Sequence, residues 1–183
     1  QLPQPAGVFA NVSIAAVAAD EARGKVLMRR SRSNAGNSSI AVVGYSPHRV
    51  APGETVVPAE RLDDIVEEHA ARLGGGISSV CLVKMDVELA ELRVLRGSTR
   101  LLASRHLRVV NFEMVPRSAS GEGLGVREAH ELLGLLASRG FHIRGHGPVL
   151  QPREYTPTEF DGLIARLAAV GKLGTTLTAV RPR

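Results

Sequence analysis

The stretch Ser79-Val80-Cys81-Leu82-Val83-Lys84-Met85-Asp86-Val87-Glu88-Leu89-Ala90-Glu91 decides the fold. Ser79–Val87 is a mostly apolar run of strand length, the pattern of a strand buried on both faces. Cys81, inside it, reads as a small buried residue. From Glu88 the periodicity becomes helical and predicts a helix over Glu88–Ser104, weakened in its middle by Gly97. A strand that feeds straight into a helix is the repeating unit of α/β folds.

The same alternation extends in both directions. Upstream, Glu60–Leu73 carries Leu62, Ile65, Val66, Ala70 and Leu73 on one helical face, and Gly74-Gly75-Gly76 stops it. Downstream, Leu107–Met114 reads as a second buried strand. Val126–Arg139 is a strongly periodic helix ended by Gly140, and Phe141–Ile143 begins a strand. Thr156, Pro157 and Glu159 open the last helix as a capping box with a first-turn proline. Gly171 and Gly174 close that helix, and Thr175–Val180 is β-branched and strand-like. This order predicts an α/β fold with a largely parallel sheet. Nearer the amino end, Val12–Ala18, a turn at Asp20–Gly24 and a strand at Lys25–Met28 read as a hairpin. Ser31–Ser39 is a polar loop around Asn34-Ala35-Gly36-Asn37. Ile40–Val43 is a short apolar run, and Val56-Val57 reads as an edge strand ending at Pro58. No internal repeat or domain boundary is visible.

With 183 residues and 44% hydrophobic content the chain can bury one core. Aromatics make up only 3%, so packing rests on Leu, Val, Ile and Ala. A single cysteine excludes a disulfide framework and a cysteine-rich metal site. No apolar stretch approaches the roughly 20 residues of a membrane helix, and no secretory signal is visible; the cytoplasm is the favoured compartment. The net charge of +5 is nearly all arginine. Its one tight cluster, Arg29, Arg30 and Arg32, lacks aromatic neighbours for base stacking, so a solvated loop is expected there rather than a nucleic-acid surface.

Ligands of open α/β sheets gather outside the carboxyl ends of the strands, and two strands here end in acids. Asp86 and Glu88 terminate the first, and Glu113 terminates the second. If the strands are adjacent and parallel, three carboxylates converge, and their repulsion raises at least one pKa toward that of a useful base. The alternative is structural: Asp86 or Glu88 caps the next helix and Glu113 pairs with an arginine. Gly121-Glu122-Gly123-Leu124-Gly125 stands between a strand and a helix, but Val126 occupies the place where the dinucleotide pattern needs glycine, so a loop over the site is expected. His142 and His146 lack metal-binding neighbours, and His69 lies near a helix C-terminus, whose partial charge favours a cation.

Leu62-Asp63-Asp64, Lys84-Met85-Asp86-Val87-Glu88-Leu89-Ala90-Glu91, Val94-Leu95-Arg96-Gly97 and Phe112-Glu113 together resemble the FkbM-type S-adenosylmethionine-dependent methyltransferase family. That family shows a Leu-Asp-Asp helix start, a strand ending Lys-Ile-Asp-Val-Glu-Gly-Ala-Glu, a Val-Leu-x-Gly helix and a strand ending Phe-Glu. Ala16–Asp20 with Gly24 is similar to its third sheet strand and following turn, Asn34–Ser39 to its small polar loop, and Leu136–Phe141 to its helix-Gly-aromatic step. The resemblance implies a Rossmann-like methyltransferase sheet spanning residues 1–183 as a single domain, incomplete in its N-terminal half. The family's Asp-x-Gly-Ala-Asn-x-Gly loop and the acidic end of its second strand do not occur here, so the chain is expected to be the C-terminal portion of a longer one. The implied cofactor is S-adenosyl-L-methionine, with Asp86 and Ala18 at its site and Asp86, Glu88 and Glu113 as catalytic residues. The implied substrate is a hydroxyl group of a sugar, polyketide or similar small molecule. One departure is local: Leu89 stands where the family carries glycine. The rival expectation is a non-catalytic interaction module derived from the same fold. Oligomeric state stays open.

Overall fold

Two sheets, not one, organise the residues that the computed structural model describes: 12–29, 39–42, 50–72, 75–117, 123–146, 149–170 and 176–182. The first holds β1 (Ala18–Asp20), β2 (Gly24–Arg29), β3 (Ser39–Val42) and β4 (Glu54–Arg61) in the order β1-β4-β2-β3. The second holds β5 (Leu82–Met85), β6 (Val109–Glu113), β7 (His142–Gly145), β8 (Glu154–Tyr155) and β9 (Thr176–Val180) in the order β5-β6-β9-β7-β8. Helices α1 (Leu62–Arg72), α2 (Glu91–Arg96), α3 (Thr99–Ala103), α4 (Val126–Ser138) and α5 (Phe160–Val170) follow or separate these strands.

The expected α/β composition is present, but a largely parallel sheet is not. Among the described residues only β1–β4 and β5–β6 pair in parallel; the other pairings are antiparallel. The cause lies in the β7–β8 hairpin, which reverses the chain before α5. A crossover helix returns its next strand in the direction of the preceding one, here β8, so β9 enters between β6 and β7 antiparallel to both. The expected pairing of Val12–Ala18 with Lys25–Met28 also fails. β1 is confined to Ala18–Asp20, and it and β2 flank β4 instead of each other. β4 in turn runs through Pro58, which lies opposite Lys25, one residue before pairing with β1 begins at Ala59. The Ser31–Ser39 loop apart from Ser39, and the glycines Gly74, Gly171 and Gly174, lie outside the described residues.

The core lies on one face of the second sheet. Val110 and Phe112 of β6, Leu177 and Ala179 of β9 and Ile143 of β7 alternate inward, as the two-residue period of a strand requires. Leu132, Leu133 and Leu136 of α4 and Leu163, Ile164 and Leu167 of α5 cover them. The opposite face carries the half-buried Asn111 and Glu113 of β6, with Asn111 donating to Thr178 at 3.0 Å. β5 is an edge strand among the described residues, with Leu82 55% exposed. Cys81 is exposed rather than buried, because among the described residues no strand pairs with that side of β5.

The predicted helix Glu88–Ser104 is two short ones, α2 and α3, broken at Gly97-Ser98. Packing forces the break. A Cβ on Gly97 would stand 2.0 Å from the Asp20 carbonyl oxygen, so only glycine lets the end of β1 approach this closely. Three further contacts hold the junction: Arg93 pairs with the buried Asp20 carboxylate, Arg96 reaches Glu21 at 3.2 Å, and Asp63 N–H donates to the Gly97 carbonyl at 3.2 Å. Asp63, wholly buried, accepts from the first N–H groups of α3, Arg100 at 2.8 Å and Leu101 at 2.9 Å. It also accepts from the Thr99 hydroxyl at 3.2 Å and the Arg61 guanidinium at 3.3 Å.

Asp63→Ala leaves the Arg100 and Leu101 N–H donors without their acceptor and the Arg61 guanidinium with the Thr99 hydroxyl alone. Urea unfolding at neutral pH should register a loss of about 3 kcal/mol or more; a loss indistinguishable from that of an exposed Asp→Ala change would show that the carboxylate holds nothing together.

Candidate functional site

The carboxyl ends of β5 and β6 bring the predicted acids together. These strands are parallel neighbours, with Lys84 opposite Asn111 and Met85 opposite Phe112. Met85 and Phe112 point into the core. By alternation, Lys84 and Asp86 share the other face with Asn111 and Glu113. Lys84 Nζ lies 3.4 Å from Asp86 Oδ2. Burial raises the Glu113 pKa above the ordinary carboxylate range, and the charges of Asp86 and then Glu88 raise it further, with Lys84 opposing.

The structural alternatives are not what the chain adopts. Neither Asp86 nor Glu88 caps α2, whose N-cap residue is Ala90 and which has no side-chain cap. Among the described residues no arginine pairs with Glu113. Ala18, the other residue expected at the cofactor site, lies half-buried in the first sheet opposite Ala59. Its position relative to the carboxylates is therefore set through the β1–α2 junction rather than by a shared sheet.

Glu91 belongs to the same group and was not anticipated as a site residue. It is 3% exposed in the first turn of α2, and its Oε1 accepts from Val87 N–H at 3.4 Å. Burial pushes its pKa up to about 7, against the pull of the N–H groups of Glu91 and Val87, and the charges of Glu113 and Glu88 add to the rise. The one sequence clue was its place in the Asp-x-Glu-x-x-Glu spacing, which by itself looks like an ordinary acidic helix start.

Between β5 and α2 the chain passes through two consecutive left-handed residues, Glu88 at φ 49° and Leu89 at φ 75°. This turn swings the backbone from strand to helix and leaves Asp86 exposed, Glu88 half-buried and Leu89 43% exposed. A left-handed conformation costs an L-residue with a Cβ roughly 1–2 kcal/mol. Glycine adopts it freely, so the backbone itself explains why glycine suits position 89.

Other candidates contribute less. Of the glycine-rich loop, residues 118–122 lie outside the described residues. Gly123, at φ 113°, sits so close to Val115 that a Cβ would approach its carbonyl oxygen to 2.6 Å, and Gly125 N–H donates to Glu128 of α4 at 2.8 Å. Gly123 thus serves the turn and Gly125 the start of the helix. His142 pairs with Glu154 at 2.6 Å, and His69 meets the Ser13 hydroxyl at 2.6 Å. No group of ligating side chains suited to a metal occurs among the described residues, and no described helix is long and apolar enough to cross a membrane. Of the arginine cluster, Arg29 pairs with Glu54 at 3.2 Å, while Arg30 and Arg32 lie outside the described residues.

Residues 9–143 match the methyltransferase FkbM domain, a span that contains β5, β6 and every carboxylate of the cluster. No curated protein and no solved structure matches the chain.

Two measurements test the geometry of the site. Glu91 has a folded-state pKa of about 7 against 4.5 for the ordinary carboxyl. The native state therefore holds its proton to higher pH than the unfolded chain does. Its favourable contribution is complete below the lower value and is lost as pH rises to the upper one, a loss on the order of 3 kcal/mol. Chemical denaturation should show Glu91→Gln matching the wild type near pH 4 and exceeding it in stability at pH 8. Parallel pH profiles for the two proteins would mean that Glu91 is not a buried, late-ionising acid. Separately, Leu89→Gly relieves the left-handed strain, and thermal melts should show a gain of up to about 1 kcal/mol; a marked loss would contradict the turn geometry.

Proposed function

The chain belongs to the FkbM methyltransferase family, and from that premise we propose that it forms the acceptor-side part of an S-adenosylmethionine-dependent O-methyltransferase. The observation that carries this reading is the convergence of Asp86, Glu88 and Glu113 at the carboxyl ends of two adjacent parallel strands, on the sheet face that α4 and α5 leave uncovered. That is where an open α/β sheet offers its ligand crevice. The acceptor is a hydroxyl compound such as a sugar or polyketide.

The donor set suits the charge of the cofactor. S-adenosylmethionine carries a sulfonium and an ammonium group, and the exposed Asp86 and half-buried Glu88 offer carboxylates to cations. Ala18, small and half-buried in β1, is the residue that the neighbouring sheet would place toward the cofactor. The cofactor supplies an electrophilic methyl group when bound. This chain's residues then have two tasks, to orient the acceptor and to take its proton. Glu113 is suited to the second, because a carboxylate with a raised pKa is a stronger base than an ordinary one. Orientation by Asp86 and Glu88 lowers the barrier through proximity, the principal device open to an in-line methyl transfer. The ribose and methionine ends of the cofactor need further groups, and the sequence has no Asp-x-Gly-Ala-Asn-x-Gly run to provide them.

Leu89 favours a second reading, a non-catalytic module that keeps the fold and binds no cofactor. A branched side chain projects where glycine would leave the backbone open to a ligand. Calorimetry with S-adenosylmethionine, on this chain and on any longer chain containing it, separates the two. Binding by either supports the enzyme, and binding by neither supports the module. In a cofactor-binding chain, S-adenosylhomocysteine release with a panel of hydroxylated acceptors should fall about 100-fold for Glu113→Gln. It should also fall clearly for Asp86→Asn and for Glu88→Gln; wild-type turnover in all three variants would sink the assignment.

A further inference from the structure

The pole opposite the carboxylates is basic. Arg105 follows α3, Arg108 leads into β6, Arg139 ends α4 and Arg181 follows β9, so four elements deliver arginines to one end of the second sheet. Among the described residues no carboxylate pairs with any of them. The Arg108 charge acts on Arg181 and, after burial, is the second cause of its lowered pKa; like-charge repulsion is thus present at this end of the molecule.

Arg181 is fixed. Its Nη2 donates to the carbonyls of Leu102 at 2.7 Å and Arg139 at 3.0 Å, and its Nη1 to those of Leu107 at 3.2 Å and Ser104. Its guanidinium also lies 4.2 Å from the centre of the Phe141 ring. These bonds absorb the partial negative charge of two helix C-termini, α3 and α4. What remains is an open groove of about 420 Å³ lined by Ser138, Gly140, the exposed Arg105 and Arg139, and the rigid Arg181. Among the described residues no carboxylate stands within salt-bridge distance of Arg105 or Arg139.

We propose that this groove is a binding site for a phosphate-type dianion, held by Arg105 and Arg139 against the fixed charge of Arg181. Planar guanidinium groups bind phosphate oxygens in pairs, and an anion here relieves repulsion that the fold otherwise carries. The chemistry is shared by free phosphate compounds and by anionic lipid headgroups. The site does not depend on the methyltransferase reading, being at the far end of β5 and β6 from the carboxylates.

Isothermal titration with sodium pyrophosphate at low ionic strength should give saturable binding that sodium chloride at equal ionic strength does not mimic. The double variant Arg105→Gln, Arg139→Gln should bind at least about tenfold more weakly, with an unchanged melting temperature because neither side chain supports the fold. Sedimentation with phosphatidylglycerol vesicles distinguishes the sources. Pyrophosphate binding without vesicle binding assigns a free phosphate compound; binding to both, each displacing the other, assigns a headgroup. The proposal is overturned by the absence of saturable pyrophosphate binding, by double-variant affinity equal to that of the wild type, or by vesicle binding that pyrophosphate does not displace.

Discussion

The buried carboxylate of Asp63 is the constraint on which the arrangement of the two sheets rests. It joins the start of α1 to the start of α3 through backbone donors, and α1 itself continues directly from β4 of the first sheet. The same few residues seat Gly97 on the Asp20 carbonyl. Helix α2, which carries Glu91 at its first turn and Arg93 farther along, is therefore held at both ends. Its amino end is tied to the acidic cluster of the second sheet and its carboxyl end to β1 of the first. A buried charge with this many donors is tolerated because its hydrogen bonds replace water. Remove it and the relative placement of the sheets loses its anchor.

That anchorage gives the Leu-Asp-Asp and Val-Leu-x-Gly elements a physical meaning. Asp63 is the acceptor, Gly97 is the clearance, and the stretch between them in sequence holds the rest of α1, β5 with its turn, and α2. The residues shared with the family are thus partly a packing device, and only partly the chemistry of the site. Asp86, Glu88 and Glu113 stand apart from that device, since among the described residues no side chain pairs with the Glu113 carboxylate and neither Asp86 nor Glu88 caps the helix that follows.

Much of this was legible in the sequence for a specific reason. The parallel neighbours β5 and β6 could be read because an apolar run ending in an acid, followed by a helix, has few other solutions. α1 and α4 followed from their periodicity and α5 from the capping box that opens it, and Leu89 was visible as a residue out of place. What escaped notice depends on partners distant in the chain. An edge strand and a central strand carry similar apolar runs, so the exposure of Cys81 and Leu82 could not be seen locally. Strand direction depends on the number of reversals between elements, and the two-residue β8 is too short to signal one. The break between α2 and α3 is imposed by the Asp20 carbonyl, more than seventy positions away by way of the Arg93 contact. Glu91 was hidden because burial of a carboxylate is a property of its surroundings.

The position of β9 has a bearing on how the protein comes to be folded. It lies between β6 and β7, yet it is the last of the five strands to be synthesised. While the chain is still emerging, β6 and β7 can meet their helices but not each other, and each presents an unpaired edge. Completion of the sheet waits for a segment whose partners, β6 above all, were made long before, a non-local closure of the kind that slows folding. Until Leu177 and Ala179 slot in beneath α4 and α5, the central layer of this half is open. The interval during biosynthesis in which it most needs protection from wrong partners is therefore the one just before β9 arrives.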